Sequence, residues 1–560
     1  MRGLVGPHSV GLVKRLLMTL ASLVAIGCGP GLSADAGIDA SEGPPDAGPP
    51  DAGADAGLDA GPPRPRALDL LWSSRVESAQ SLAPVESANA RLAPMPGGGV
   101  ALSVTLGGAP AVFAPGAGAI TVGDGAMNRV TQALAFYDAE GALTAARAVV
   151  HADPVLEGFN AGGYTLGSLA DGAVIVGGRF FGGARFGPGD PNATVFATVR
   201  QRVDDDVFVT SNEGYLARFD ASHAIEWARR PRSETGFAEH SYVADLGVLA
   251  DGSALVLGAY DDPVTLGEGE PSEVRFALSP GAEREVYLAR FAPDGALVWA
   301  RAIRGQSTPT RIAALADGSS IVLVRYGAAV TFGSGEPAER TIPAPPEGTL
   351  ECDAIARFDP DGRLVWVRAL ESDATDYPGL RDLSVEADGS LVVAGTFRGE
   401  VRWPDEPAVP PYEVYGAEGL IARLDPSGAL LWQRRIRPVN SLSVQALAPH
   451  ASGTWVAGTV SMHGAAFNPE GAEALVLEPS SATTRLVLLR YDAEGLLRAA
   501  HLAASDDVNA DDLLALEGGD LVLVGRYGAS TVLEPDSAQE VVLPPALAFR
   551  NVFLARYAER

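Results

Sequence analysis

The sequence predicts an all-β fold: a seven-bladed β-propeller of four-stranded blades, with six or eight blades as alternatives, preceded by a disordered tether. Three observations predict it. Two hairpin signatures alternate along the chain at a steady period. Gly and Pro, 65 and 41 of 560 residues, argue against long helices. A hydrophobic share of 47% calls for packed cores.

The segments follow in chain order. Lys14 and Arg15 precede an apolar run from Leu16 to Ile26, too short to span a bilayer but the right length for the core of a signal peptide. The run closes on Ala25, Ile26, Gly27 and Cys28. These four residues resemble a bacterial lipobox, apart from Ala25, where Leu is more common. The resemblance implies a signal peptide over 1–27, a diacylglyceryl group on Cys28, and an outer-membrane lipid anchor on the periplasmic or cell-surface side. Cleavage after Ala36 is the alternative and gives a secreted protein. Residues 28–67 hold the lipidated cysteine and a tether almost entirely of Asp, Ala, Gly and Pro, with nothing to build a core. As a flexible coil this tether reaches roughly 35 Å.

The propeller is expected over 68–560. Its first signature runs from Tyr215 to Asp220, turns, and continues through Trp227; it returns around Arg290 and Trp299, Arg357 and Trp366, and Arg423 and Trp432. The arginines at 218, 290, 357, 423, 490 and 556 recur at intervals of 72, 67, 66, 67 and 66 residues. The second signature is a strand, an Asp-Gly turn and a strongly apolar strand, at Asp171, Asp251, Asp317 and Asp388, with degenerate copies at Pro96, Ser452 and Gly518. Seven copies give seven units, each with strands A and B around the Asp-Gly turn and C and D around the Arg and Trp signature. At the ends, 68–76 reads as a strand D without its C, and 551–558 as a strand C without its D, so the pairing of the two closes the circle.

These motifs resemble the bacterial propeller repeats of the SBBP and NHL-like type over essentially all of 68–560. The resemblance implies a fold and no particular activity. Sialidase Asp-boxes separate Asp from Gly, whereas Asp361 and Gly362 are adjacent, with a longer reach to Trp366. Quinoprotein and outer-membrane assembly scaffold repeats resemble Leu424 to Trp432 but use shorter units.

The turns from A to B and from C to D are tight, while the B-to-C and D-to-A connections at the other end are long, so recognition is expected on that loop-rich face. Its acids are Asp204, Asp205, Asp206, Asp261, Asp262, Asp506, Asp507, Asp511 and Asp512. They read either as a solvated rim or as loops that hold a ligand or a divalent cation, calcium being the natural candidate for oxygen donors. No other cofactor is implied.

Charge and composition exclude several chemistries. The formal charge is −28, and removing the three cations of 1–27 leaves −31, a poor surface for nucleic acid or anionic lipid. Lys14 is the only lysine, so no Schiff-base or phosphate-loop lysine survives export. The seven histidines form no zinc motif, and Cys352, the one cysteine left, reads as a small buried hydrophobe. The expected function is a non-catalytic, monomeric surface lipoprotein, touching the membrane through its lipid alone and binding a protein or glycan through the loop-rich face. The alternative is a propeller hydrolase or lyase acting on extracellular polysaccharide.

Overall fold

The protein is seen in a computed structural model that describes residues 68–78, 90–107, 110–122, 130–152, 160–181, 183–196, 200–204, 207–210, 212–233, 241–372, 379–403, 417–436, 442–461, 465–467, 475–477, 484–528, 531–535, 537–546 and 550–560. The expected signal segment, Cys28 and the tether lie outside the described residues, as do Asp205 and Asp206.

The third blade shows how the sequence makes its unit. Strand A is Ser241–Val248, B Ala254–Tyr260, C Glu285–Phe291 and D Leu297–Ile303, paired antiparallel in that order. Every residue of strand B is buried, as an inner strand covered on both faces requires. The turn between A and B closes because Gly252 takes φ +83° and the Asp251 carboxylate accepts the Ser253 N–H at 2.8 Å.

Seven such units follow one another among the described residues. Their innermost strands are Arg91–Met95, Asn160–Ser168, Ser241–Val248, Ser307–Ala314, Gly379–Val385, Leu442–His450 and Val508–Ala515. Each touches the next, and the last touches the first, so the strands ring an axis. Seven hydrophobic cores form, each shared between two neighbouring blades. The seventh blade takes its outer strand from the start of the chain: Leu68–Ser78 lies antiparallel to Asn551–Glu559, with Leu68 opposite Glu559 and Val76 opposite Val552. Leu68 and Arg560 therefore both sit at the tight-turn end. Cys352 is buried, and no helix among the described residues is long and apolar enough to cross a membrane.

The repeated Arg and Trp clasp one blade to the next. Arg290, Arg357, Arg423 and Arg556 each pair with the Asp of their own blade's A-to-B turn at 2.6–2.8 Å. Arg357 also donates to the Pro426 carbonyl in the next blade's C-to-D turn, and the Trp366 indole N–H donates to the same oxygen. Trp227, Trp299 and Trp432 repeat the bond to Pro293, Pro360 and Ala493. In the sixth blade Ser452 stands where the turn Asp would be, and Arg490 pairs with Glu559 of the seventh blade instead.

The long B-to-C connections are not free loops. Several fold into short hairpins; among the described residues four of these, and the single strand Val401–Arg402, pair with the outer strand of the preceding blade, as Val264–Leu266 does with Arg232–Ser233. Their turns repeat Gly-x-Gly-acid-Pro at 187–191, 267–271 and 333–337. The acid reaches back to its own blade: Asp190 accepts the N–H of Ile225, Glu270 that of Leu297 and Glu336 that of Leu364, at 2.9, 2.6 and 2.8 Å. Much of the expected recognition surface is thus committed to holding outer strands in place.

Candidate functional site

The site is built on the innermost strands. Six of the seven carry a bulge, at Tyr164, Ala244, Thr310, Arg381, Gln445 and Asp511, each revealed by a one-residue jump in pairing with strand B. A bulge kinks and twists its strand, re-aiming the next side chain. That next position, six residues ahead of the turn, holds Thr165, Asp245, Arg311, Asp382, Ala446 and Asp512, and Arg91 occupies it in the first blade. Most of these residues sew their blade to the following one. Asp245 accepts the Ile312 N–H at 2.9 Å, Asp382 the Leu447 N–H at 2.8 Å and Asp512 the Leu92 N–H at 2.9 Å. Thr165 takes the Leu246 N–H at 3.0 Å, and Arg311 donates to Asp382 at 2.8 Å.

Over this sewn ring, at the loop-rich end, opens an axial pocket of about 330 Å³. Five arginines line it: Arg91, Arg311, Arg325, Arg381 and Arg526, together with Asp511 and Glu351. Arg325 and Arg526 are the penultimate residues of their B strands, Ser320–Tyr326 and Leu521–Tyr527, each followed by a buried tyrosine that anchors the strand end. Four arginines have partners. Arg91 donates to the Asp511 carbonyl at 3.0 Å, Arg311 to Asp382, Arg325 to Asp353 at 3.4 Å, and Arg526 to the Asp511 carboxylate at 2.9 Å. Arg381, the exposed bulge residue of the fifth blade, has no hydrogen bond or ion pair among the described residues. Desolvation and then the charges of Arg311, Arg325, Arg91 and Arg526 pull its pKa below the usual arginine value.

The acids respond to the same surroundings. Burial pushes the Asp511 carboxyl up to about 6 against the opposing pull of Arg526 and Arg91, and its Oδ2 is buried without a hydrogen-bond partner. Asp353, beneath Arg325, is likewise pushed by burial up to about 6. Burial alone would depress Arg311, but Asp382, Asp245 and Asp512 overturn that and hold it above its ordinary value.

The acids expected to form loop clusters are dispersed. Asp261 faces Arg284 at 3.5 Å, and Asp262 accepts the Ser233 hydroxyl at 2.9 Å. Asp506 and Asp507 stand in a tight bend at φ +65° and +48°, with Asp507 paired to Arg550 at 2.8 Å. Asp511 and Asp512 were expected in a loop and instead belong to the innermost strand Val508–Ala515, because the chain turns into that strand directly after Asp507. Asp204 ends the strand Arg200–Asp204. Among the described residues no group of three or more His, Cys, Asp or Glu is placed to hold a metal ion.

A larger and more open depression of about 660 Å³ lies between the second and third blades, around Arg218, Glu226 and Arg229. Its arginines are satisfied locally, Arg218 by Glu226 and Asp171 and Arg229 by Glu270, so it presents no unmatched cation to a ligand. The axial arginines escaped sequence reasoning because no two neighbouring copies carry them at the same position. One signal was available: an Asp six residues before the turn in three copies, at 245, 382 and 512.

No protein-family model matches the chain, and no curated protein matches it. Among solved structures, a protein of unknown function from Dyadobacter fermentans is 9% identical, with 88% of this chain and all of that one covered, at a TM-score of 0.36. The NanB sialidase of Streptococcus pneumoniae is 7% identical over 87% of this chain and 70% of its own, at 0.35. The WD40 repeats of RRP9 are 10% identical over 71% and 94%, at 0.28. All three scores fall below 0.5, so the fold stands on the chain's own strand pairing.

Proposed function

We propose that the chain is a lipoprotein of the SBBP and NHL-like repeat type, anchored through Cys28, that binds a protein or glycan through its loop-rich face with the axial pocket as the point of attachment. One observation carries this reading: the pocket presents an arginine, Arg381, with no partner among the described residues, beside four others at the face opposite the point where the chain enters the propeller. A rigid ring that positions unmatched charge at its mouth is a binding device. The test is twofold. Labelled palmitate is incorporated into the expressed protein and is lost in Cys28→Ala; a glycan array and a surface-protein pull-down on residues 62–560 then identify a ligand whose capture weakens when the loop-rich face is altered. Capture that is indifferent to that face, or label that persists in Cys28→Ala, overturns the corresponding half.

One observation favours the second reading, a hydrolase or lyase. Asp511, with its carboxyl pushed to about 6 beside Arg526, is suited to deliver a proton in a mildly acidic medium. New reducing ends or unsaturated termini released from an acidic polysaccharide, and lost in Asp511→Asn, would establish it.

A further inference from the structure

We infer that the axial pocket is a receptor for a compact oxyanion of two or three negative charges, a carboxylate-, sulfate- or phosphate-bearing sugar-sized group, gripped by Arg381 together with Arg325 and Arg526. The inference rests on the loop-rich face being the binding face and names what that face takes.

Charge is the first argument. Five arginines line the pocket with Asp511 and Glu351, inside a chain that is −28 overall; Asp245, Asp353, Asp382 and Asp512 beneath them balance Arg91, Arg311 and Arg325, whereas Arg381 is acted on by the charges of Arg311, Arg325, Arg91 and Arg526. An anion placed beside Arg381 offsets that repulsion. Among the described residues Arg381 has no acid partner, so its guanidinium fork is placed to take a carboxylate or a tetrahedral oxyanion in two-point contact.

Shape and chemistry narrow the class. At about 330 Å³ the pocket sits at the small end of ligand cavities, which run roughly 300–1,000 Å³, so it takes one sugar-sized unit or chain end and not a polymer laid across it. Among the described residues no aromatic side chain lines it, so a neutral sugar finds no ring there to stack on. The polar lining is completed by Thr308, Thr310 and Gln445, which suit the hydroxyls beside an acidic group.

The same geometry makes binding pH-dependent. Asp511 is faced by Arg526 on its own sheet, by Arg91 from the first blade and by its neighbour Asp512, while Glu351, Arg311, Arg325 and Arg381 share the pocket. As pH falls through about 6 Asp511 takes a proton, the lining loses a negative charge and gains a donor, and the anion binds more tightly.

The test is titration calorimetry on residues 62–560, a compact unit closed on its own strands, against trigalacturonate, a sulfated disaccharide, inorganic phosphate and neutral maltotriose. At least one anion is expected to bind at one site per chain, with maltotriose silent. Arg381→Glu, an exposed position, is expected to weaken binding by about tenfold or more with an unchanged melting curve, and Arg381→Ala by less. Between pH 7 and pH 5 the affinity for trigalacturonate or the sulfated disaccharide, whose charge stays constant there, is expected to rise roughly three- to tenfold, and Asp511→Asn is expected to lose that dependence. Which anion binds separates carboxylate from sulfate and phosphate sources. Absence of anion binding by the folded protein, or binding untouched by Arg381→Glu, overturns the inference. If the array still finds an uncharged ligand on the loop-rich face, the binding-module reading survives that failure; if it finds none, both fall.

Discussion

At the scale of single residues, the strongest constraints fall on groups that touch a neighbouring blade. Gly362 adopts φ +75°, and a Cβ there would lie 2.7 Å from the Trp299 ring. Gly362→Ala is therefore expected to combine backbone strain with displacement of an indole, costing about 2–4 kcal/mol in urea unfolding. Gly269→Ala, at φ +79° with nothing within 4 Å, isolates the backbone cost at about 1–2 kcal/mol. Equal losses at the two positions would show that the tryptophan yields freely. The repeated Arg and Trp were legible in the sequence because every clasp needs the same two groups at the same spacing. Arg381 was not, because its meaning comes from Arg91 and Arg526, which lie hundreds of residues away and meet it only across the axis.

At the scale of elements, the strands and tight turns could be read from alternation and from Asp-Gly pairs, whereas the hairpins between B and C could not. Val264–Leu266 and Val330–Phe332 have three residues each, too short to show a period, and their stability comes from a borrowed edge and an acid on a backbone N–H. Glu336→Ala leaves the buried Leu364 N–H without its acceptor, and a loss of about 1–3 kcal/mol is expected. Glu336→Gln keeps a carbonyl oxygen in reach and should recover most of it. If both variants unfold like the parent in urea, the hairpin turn is only a decoration. The acids of these turns show the limit of a sequence reading: a carboxylate that caps a strand and one that waits for a ligand look alike until the backbone donor is located.

At the scale of the whole molecule, every blade contributes to two cores, so no blade can leave without opening both neighbours. Removing residues 68–76 takes the outer strand from the seventh blade and strips the partner from Asn551–Glu559. The shortened protein is expected to lose its single cooperative melting transition and to unfold in stages beginning at a lower temperature; a calorimetric trace identical to the parent's would show that the circle holds without that strand. The closure also joins distant parts of the chain. Asp69 and its partner Arg560 are separated by 491 positions, so Leu68–Ser78 meets Ala111–Phe113 locally but Asn551–Glu559 only across the whole ring. Until those two segments meet, one edge of each stays open, so the circle remains unfastened however well the other blades have formed.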